Sequence, residues 1–460
     1  MDKYFPRYHF RPKKNWMNDP NGLIWHNGFY HMFYQYNPNQ DIWGDIHWGH
    51  ARSEDLIHWE ECPVAFGPSY ERGELHCYSG CCVEKDDKVY AFYTSIGAGE
   101  AGPETGAVQW SAVSGGDLMT WDKPDHPALD KTLNAPYDVR MWRDPFIWKE
   151  RGFFFMLLSG TLDGKGCILL YSSEDLERWE RRSVFYVNES YSLIECPNIM
   201  KFGDRYILLY SPLEAIRYVT GTIDWESFRF VPEQEGIFDH SVGKKGFYAS
   251  NVYMNAPDGR YLMFGCLFEG DRLNSAQKRG WAGIQSLPRE ITLGEDGMPR
   301  IHPAKECRML RKETLAALEK CRGGRLEAES EAFEIHLCIR PEEKADHREP
   351  LKIRLLASPD GREHTELTVD IAARRILLDR DHSTLTEDIT KEQIEAELPE
   401  CSGPTEIDIF VDHSTIEVFF AGSLTISARI FPALAESRCN TVSIPSDIWI
   451  EQAVIYGLGL

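Results

Sequence analysis

Between Gly22 and Phe268 the chain repeats one pattern five times: a polar or charged residue, a short apolar run, a tight turn, then an aromatic-rich alternating strand. Three copies run from Asn18-Asp19-Pro20 through Asn27-Gly28 to Tyr36, from Ser79-Gly80 through Asp86-Asp87 to Thr94, and from Arg143-Asp144-Pro145 through Arg151-Gly152 to Leu158. Two more run from Glu195-Cys196-Pro197 through Gly203-Asp204 to Tyr210, and from Ser250-Asn251 through Asp258-Gly259 to Phe264. The central pairs are residues that tolerate the positive φ of two-residue hairpin loops, so each copy predicts a β-hairpin. A unit of roughly 50 to 65 residues is the spacing of propeller blades or arrays. In radially repeated blades the same position of every unit faces one central axis. Asp19, Asp144 and Glu195, read at one register of the repeat, then converge on a funnel.

A second element recurs behind the hairpins. Ser53 to Trp59, Ser114 to Trp121 and Ser172 to Trp179 are polar turns closed by tryptophan, and Thr222 to Trp225 is a shortened copy. These read as turns joining the two outer strands of each blade, with the indoles packing between blades.

A chain of 460 residues exceeds one ordinary core and predicts two domains. Aromatic residues at 12%, with Gly, Pro, Asn and Asp spread throughout, favour an all-β protein. The propeller pattern fades after Gly280 to Glu290, and Met309 to Lys320 has apolar residues at helical spacing. Beyond Cys321 alternating segments such as Ala332 to Ile339, Leu351 to Leu356, Glu406 to Val411 and Thr415 to Phe420 suit two packed antiparallel sheets. The expected organisation is a five-bladed β-propeller over residues 1–300, a linker with a short helix over 301–322, and a C-terminal β-sandwich over 323–460.

The formal charge of −22 argues against nucleic acid or an anionic membrane as partner and fits a soluble protein acting on a neutral small molecule. No apolar stretch approaches the ~18 residues of a membrane span, and Met1 to Arg7 has no signal-like run, so a cytoplasmic protein is expected. The twelve cysteines are then read as reduced thiols. Cys77, Cys81 and Cys82 cluster without a second Cys/His pair at zinc-binding spacing, and no metal or cofactor is expected. A homo-oligomer is left open.

A pair or trio of carboxylates at a funnel is the equipment of glycoside hydrolysis. Around them, Trp16 to Gly22, Phe33 to Pro38, Trp48 to Ala51, Tyr78-Ser79-Gly80, Arg143-Asp144-Pro145, Glu195-Cys196-Pro197, Phe247-Tyr248-Ala249, Gly280 to Glu290 and Val411 to Phe419 resemble segments of glycoside hydrolase family 32, the β-fructofuranosidases. The resemblance covers nearly the whole chain. It implies a propeller with a C-terminal sandwich, Asp19 as nucleophile, Glu195 as general acid/base, and Asp144 as the carboxylate that binds fructosyl hydroxyls and stabilises the transition state. It also implies Asn18, Gln35, Trp43, Tyr78, Ser79 and Arg143 as residues around the fructosyl unit, while Trp281 either lines the pocket or closes the propeller. A retaining reaction would hold the Asp19 and Glu195 carboxyls ~5 Å apart, with Glu195 protonated beside an ionised Asp19 for the first step. Cys81 stands where the family often has a small hydroxyl residue, and Gly246 where it commonly places Asp. Both bear on leaving-group recognition.

The reading is a fructosidase acting on sucrose, sucrose 6-phosphate or short fructo-oligosaccharides, with a fructosyltransferase or a fructan-degrading exo-enzyme on the same site as the alternative. A non-catalytic fructan-binding protein does not need all three carboxylates. A related propeller glycosidase acting on arabinosides is the remaining enzymatic alternative. Arg72, His76 and Arg272 are basic residues in likely blade loops, either partners for a substrate phosphate or solvated surface charge.

Overall fold

The computed structural model describes residues 2–97, 107–241, 246–269, 279–341, 349–387, 389, 391–400 and 403–460. Arg272 lies outside them. Five antiparallel sheets follow one another around an axis. Blade I comprises Asn15–His26, Phe29–Asn37, His47–Ser53 and Trp59–Glu61. Blade II comprises Glu74–Lys85, Lys88–Gly97 and Ala107–Ser114, with Asp122 bridging Val113 where a fourth strand would lie. Blade III comprises Arg140–Glu150, Phe153–Leu162, Lys165–Ser173 and Glu180–Asn188, and blade IV comprises Glu195–Phe202, Arg205–Ser211, Arg217–Asp224 and Arg229–Ile237. Blade V comprises Phe247–Tyr253, Tyr261–Leu267, Arg289–Leu293 and Pro299–Pro303. The chain closes the ring by laying Trp281–Ala282 parallel to Asn15 and Trp16 on blade I.

The turn tryptophans join the blades at four of the five junctions. Each packs on a phenylalanine in the second strand of the preceding blade: Trp121 on Phe33 at 5.5 Å between ring centroids, Trp179 on Phe92 at 5.7 Å, and Trp225 on Phe155 at 5.2 Å. Trp59 of blade I packs on Phe264 of blade V at 5.7 Å, and at the remaining junction Phe202 of blade IV packs on Tyr261 of blade V at 5.0 Å. Such pairs contribute about 0.5–1.5 kcal/mol each beyond the area they bury. Their orientation is fixed locally, because the indole N–H groups of Trp59, Trp121 and Trp179 donate to the carbonyls of Leu56, Leu118 and Leu176.

The C-terminal strands share one apolar core, from Leu326 to Ile455, distinct from the propeller clusters. Its two layers are joined by the bent strands Arg311–Glu329 and Cys439–Leu458, which pair with each other along their length. Cys439–Leu458 pairs with Leu351–Ala357 through its first half and with Ala332–Pro341 through its second. The pairing of the two strands is interrupted at Gly323, where φ is +52° and an added Cβ would lie 2.7 Å from the Ser446 Cα, so only glycine fits.

The helix expected over Met309 to Lys320 is not formed. A short 3-10 turn, Lys305–Leu310, is followed directly by the strand Arg311–Glu329, which runs through the expected linker. Its Leu, Ala, Glu and Lys content is helix-favouring, but the partner strand lies more than a hundred residues away and supplies pairing that no local pattern reports. The same charged residues suit a strand at a sheet edge, where they discourage pairing with another chain. Among the described residues no helix is long and apolar enough to cross a membrane.

Residues 2–10 belong to the seam between the two parts. Asp412 accepts the backbone N–H groups of Arg7, Tyr8 and His9 at 2.7, 2.9 and 3.0 Å. Arg289 of blade V is fully buried between Asp239 at 2.8 Å and Glu417 of the sandwich at 2.7 Å.

Candidate active site

The innermost strand of every blade carries the same irregularity: two residues stand opposite one on the neighbouring strand. The pairs are Asn18-Asp19 opposite Gln35, Tyr78-Ser79 opposite Thr94, Asp144-Pro145 opposite Leu158, Cys196-Pro197 opposite Tyr210, and Ala249-Ser250 opposite Gly265. A bulge of this kind bends the strand and re-aims its side chains. Proline is tolerated there because the ladder needs no N–H at that point. In blades III, IV and V the first bulge residue has left-handed backbone, with φ of +61° at Asp144, +48° at Cys196 and +48° at Ala249. A non-glycine residue holds that conformation at a cost of about 1–3 kcal/mol, and such positions cluster at working sites.

The register corrects one expectation. Glu195 is the last paired residue before its bulge, Asp144 the first bulge residue and Asp19 the second, so the three carboxylates occupy successive positions and not one. Glu195 corresponds to Arg143 and Tyr248, and Cys196 takes the place of Asp144. The carboxylates therefore reach the axis from three blades with three different backbone offsets.

They meet in a cavity of about 220 Å³ together with Asn18, Gln35, Trp43, Tyr78, Ser79 and Arg143. Cys196, Tyr248 and Phe268 also line it, beyond the site residues expected from the sequence. For Cys196 and Tyr248 the signal was present, since each matches Asp144 or Arg143 in the repeat once the bulge is aligned. Trp281 is not among the lining residues. It is 4% exposed, packs on Phe5 at 5.6 Å and donates its indole N–H to Asp2 at 3.1 Å, so its role is in closing the ring.

Each carboxylate has its own surroundings. Asp19 Oδ2 accepts from Ser79 Oγ at 2.5 Å and Gln35 Nε2 at 3.2 Å, which fixes its rotamer from blades I and II. Glu195 accepts from Arg143 Nη1 at 3.1 Å on Oε1 and from the Tyr248 hydroxyl at 2.7 Å on Oε2. Asp144 Oδ2 accepts from the Cys196 backbone N–H at 3.0 Å, a donor that the bulge of blade IV frees from the ladder. The Cys196 thiol spans two of them, 3.9 Å from Asp19 Oδ2 and 3.7 Å from Asp144 Oδ2. Asn18 presents a buried Oδ1 without a hydrogen-bond partner among the described residues, an acceptor open to a ligand hydroxyl.

The carboxyl that the fold lifts is Asp144. Burial is the largest cause, Arg143 opposes it, and the nearby Glu195 and Asp19 add to it, which leaves the group at about 7. Tyr248 is pushed well above its ordinary value by burial and then by Glu195, so it stays a hydroxyl donor.

Cys81 and Gly246 both fall outside the cavity lining. Cys81 is buried among Phe92 and Trp142, and burial raises its thiol to about 12. Gly246 bridges Ala428 of the sandwich, and a Cβ there would lie 2.7 Å from Ser241 Cβ and 3.0 Å from Ser427 O. The approach of the sandwich leaves no room for an aspartate.

The description "Glycosyl hydrolases family 32 N-terminal domain" matches residues 9–302, and "Glycosyl hydrolases family 32 C terminal" matches residues 306–453. A sucrose-6-phosphate hydrolase of Zymomonas mobilis is 32% identical over 94% of this chain and 87% of its own length, and one from Escherichia coli is 28% identical over 99% and 95%. A beta-fructofuranosidase of Bombyx mori superposes with a TM-score of 0.82 at 26% identity, covering 100% of this chain and 95% of its own. A mutant of that silkworm protein has been solved in complex with sucrose.

Proposed function

The chain belongs to glycoside hydrolase family 32 and is a fructose-releasing glycoside hydrolase; from that premise we propose that it cleaves sucrose, sucrose 6-phosphate and short fructo-oligosaccharides with retention of anomeric configuration. Asp19 attacks the anomeric carbon from below the fructosyl ring, forming a fructosyl ester as the glycosidic bond breaks. Glu195 gives its proton to the departing oxygen and then takes one from the water that releases fructose. Asp144 binds ring hydroxyls and strengthens those bonds as the ring becomes oxocarbenium-like, which places its contribution in the transition state. Arg143 and Tyr248 orient Glu195, Gln35 and Ser79 orient Asp19, and Asn18 receives a substrate hydroxyl.

The convergence of three carboxylates from blades I, III and IV in one small, largely buried cavity carries this reading. A pocket of about 220 Å³ suits one furanosyl ring and supports removal of a terminal residue over cutting inside a polymer. The relatives named sucrose-6-phosphate hydrolase support small substrates, and the described cysteines, among which no disulfide forms, support a reducing cytoplasmic setting.

Incubation with sucrose, sucrose 6-phosphate, inulin and levan, with free fructose measured against transfer products, tests it. Release of fructose from the small substrates is expected. Predominant transfer to sugar acceptors would make the chain a fructosyltransferase, and inulin or levan preferred over sucrose would make it an exo-acting fructanase.

A further inference from the structure

The wall of the cavity continues outwards into solvent as an aromatic cluster. Trp43 and Tyr78 line the cavity 6.5 Å apart, and His76 packs against both, 5.1 Å from Trp43 and 5.9 Å from Tyr78 between ring centroids. Trp43 is 52% exposed and its neighbour Ile42 51%, an apolar surface left open to water beside a polar cavity. An aromatic face left open at the mouth of a cavity offers a sugar ring an apolar surface to pack on.

The cluster is held in place. His76 lies on the same strand as Tyr78, and two residues earlier Glu74 is buried, paired with Lys123 at 2.8 Å and accepting from the Tyr93 hydroxyl at 2.9 Å. Asn37 donates to the carbonyl of Ile42 at 2.8 Å and so fixes the turn that presents Trp43. The backbone N–H of Ile46 donates to His76 Nδ1 at 3.3 Å, which puts the ring proton on Nε2. Nε2 has no hydrogen-bond partner among the described residues.

We propose that His76 selects the leaving sugar: with Trp43 and Tyr78 it forms a wall against which the C–H face of a hexose ring stacks, while its Nε2–H donates to a hydroxyl of that ring. The inference rests on the cavity being the fructosyl site, because the leaving group must then emerge along this wall. A neutral imidazole suits a hydroxyl better than a phosphate, and burial lowers the pKa of His76, with Asp45 opposing and His47 adding to the effect. Of the basic loop residues described, Arg72 is engaged elsewhere, donating to the carbonyl of Pro124.

The test compares sucrose with methyl β-D-fructofuranoside, whose leaving group is too small to reach the wall. His76→Ala should lower kcat/KM for sucrose about tenfold more than for the methyl fructoside, chiefly through KM. His76→Phe keeps a ring without the N–H and should fall between the two. Sucrose 6-phosphate should suffer as sucrose does. Equal changes on sucrose and methyl fructoside, or a loss confined to sucrose 6-phosphate, would overturn the proposal. A wild-type protein that released no fructose from either substrate would instead overturn the reading of the cavity.

Discussion

Arg143 and Glu195 are equivalent residues of neighbouring blades, each the last paired residue before its bulge, and they form a buried ion pair 3.1 Å long across the cavity. The repeat thus sets a cation and an anion at one register. Arg143 is further tied by its Nε to the carbonyl of Met141 at 3.1 Å, so the guanidinium is held from its own strand. It has a second electrostatic role, since it is the group that restrains Asp144 from rising further.

Arg143→Gln removes both effects. Losing a charge-assisted hydrogen bond to Glu195 is worth roughly 1.5–3 kcal/mol, or about ten- to a hundredfold in kcat/KM. The pH profile of kcat/KM separates this from a simple loss of binding. Asp144 must be ionised to stabilise the ring, so activity in the wild type should decline as the pH falls below about 7. Without Arg143 that acidic limb should move to higher pH. An unmoved limb would show that Asp144 does not govern it.

Asp144→Asn should cost orders of magnitude in kcat with little change in KM, because its bonds tighten only as charge develops on the ring. The same substitution should stabilise the fold at alkaline pH. An aspartate in an unfolded chain titrates near 4, whereas Asp144 holds its proton in the folded protein up to about 7. Folding stability from this group is therefore fully present below pH ~4 and lost as the pH rises through about 7, by at most ~4 kcal/mol. Urea unfolding of wild type and Asp144→Asn should converge near pH 4 and separate at pH 8, with the variant the more stable. A variant less stable at pH 8 would refute the buried, lifted carboxyl.

The seam between propeller and sandwich obeys the opposite dependence on charge. His9 is fully buried, 2.9 Å from Asp412 and 3.0 Å from Glu417. Burial alone would lower its pKa, but the two carboxylates outweigh burial and bring it to about 9. Stability from His9 is fully present below pH ~6.5 and lost as the pH rises through about 9, a range worth ~3 kcal/mol. His9→Gln should therefore destabilise the protein most below pH 6.5 and progressively less towards pH 10. A pH-independent difference in unfolding free energy would mean that His9 is neutral at the seam.

The five hairpins, the turn tryptophans and the carboxylates were legible because each rests on residues close in sequence: turn pairs such as Asn27-Gly28, and the Asp-Pro and Cys-Pro steps that begin the bulges. The stagger of Asp19, Asp144 and Glu195 was not, because it depends on which residues pair across to Gln35, Leu158 and Tyr210. The first part of the strand Arg311–Glu329 looks helical in the sequence for the same reason, its partner being the last strand of the chain. Asp412 and Glu417 were visible as part of a motif, yet their task emerges only when His9 and Arg289 arrive from the other end of the sequence. His76 shows in the sequence only as a basic residue in a loop; the fold packs it against both Trp43 and Tyr78.

Glu195→Gln tests the division of labour between the two carboxyls that break the bond. Gln keeps the size of the side chain and an acceptor for Arg143, but it has no proton to give to the departing oxygen. Substrates whose leaving group departs unaided, such as activated aryl fructosides, should retain most of their first-step rate. Sucrose needs protonation and should lose the contribution of general acid catalysis, about 10²–10⁴-fold. Stereochemistry completes the test. With wild type in aqueous methanol, NMR of the first product formed from sucrose should show methyl β-fructoside, since attack by Asp19 inverts the centre once and methanol inverts it again. Methyl α-fructoside would mean a single displacement, which would remove Asp19 from the nucleophile's role. Equal losses on sucrose and aryl fructosides in Glu195→Gln would remove Glu195 from the acid's role and leave it to orient Arg143.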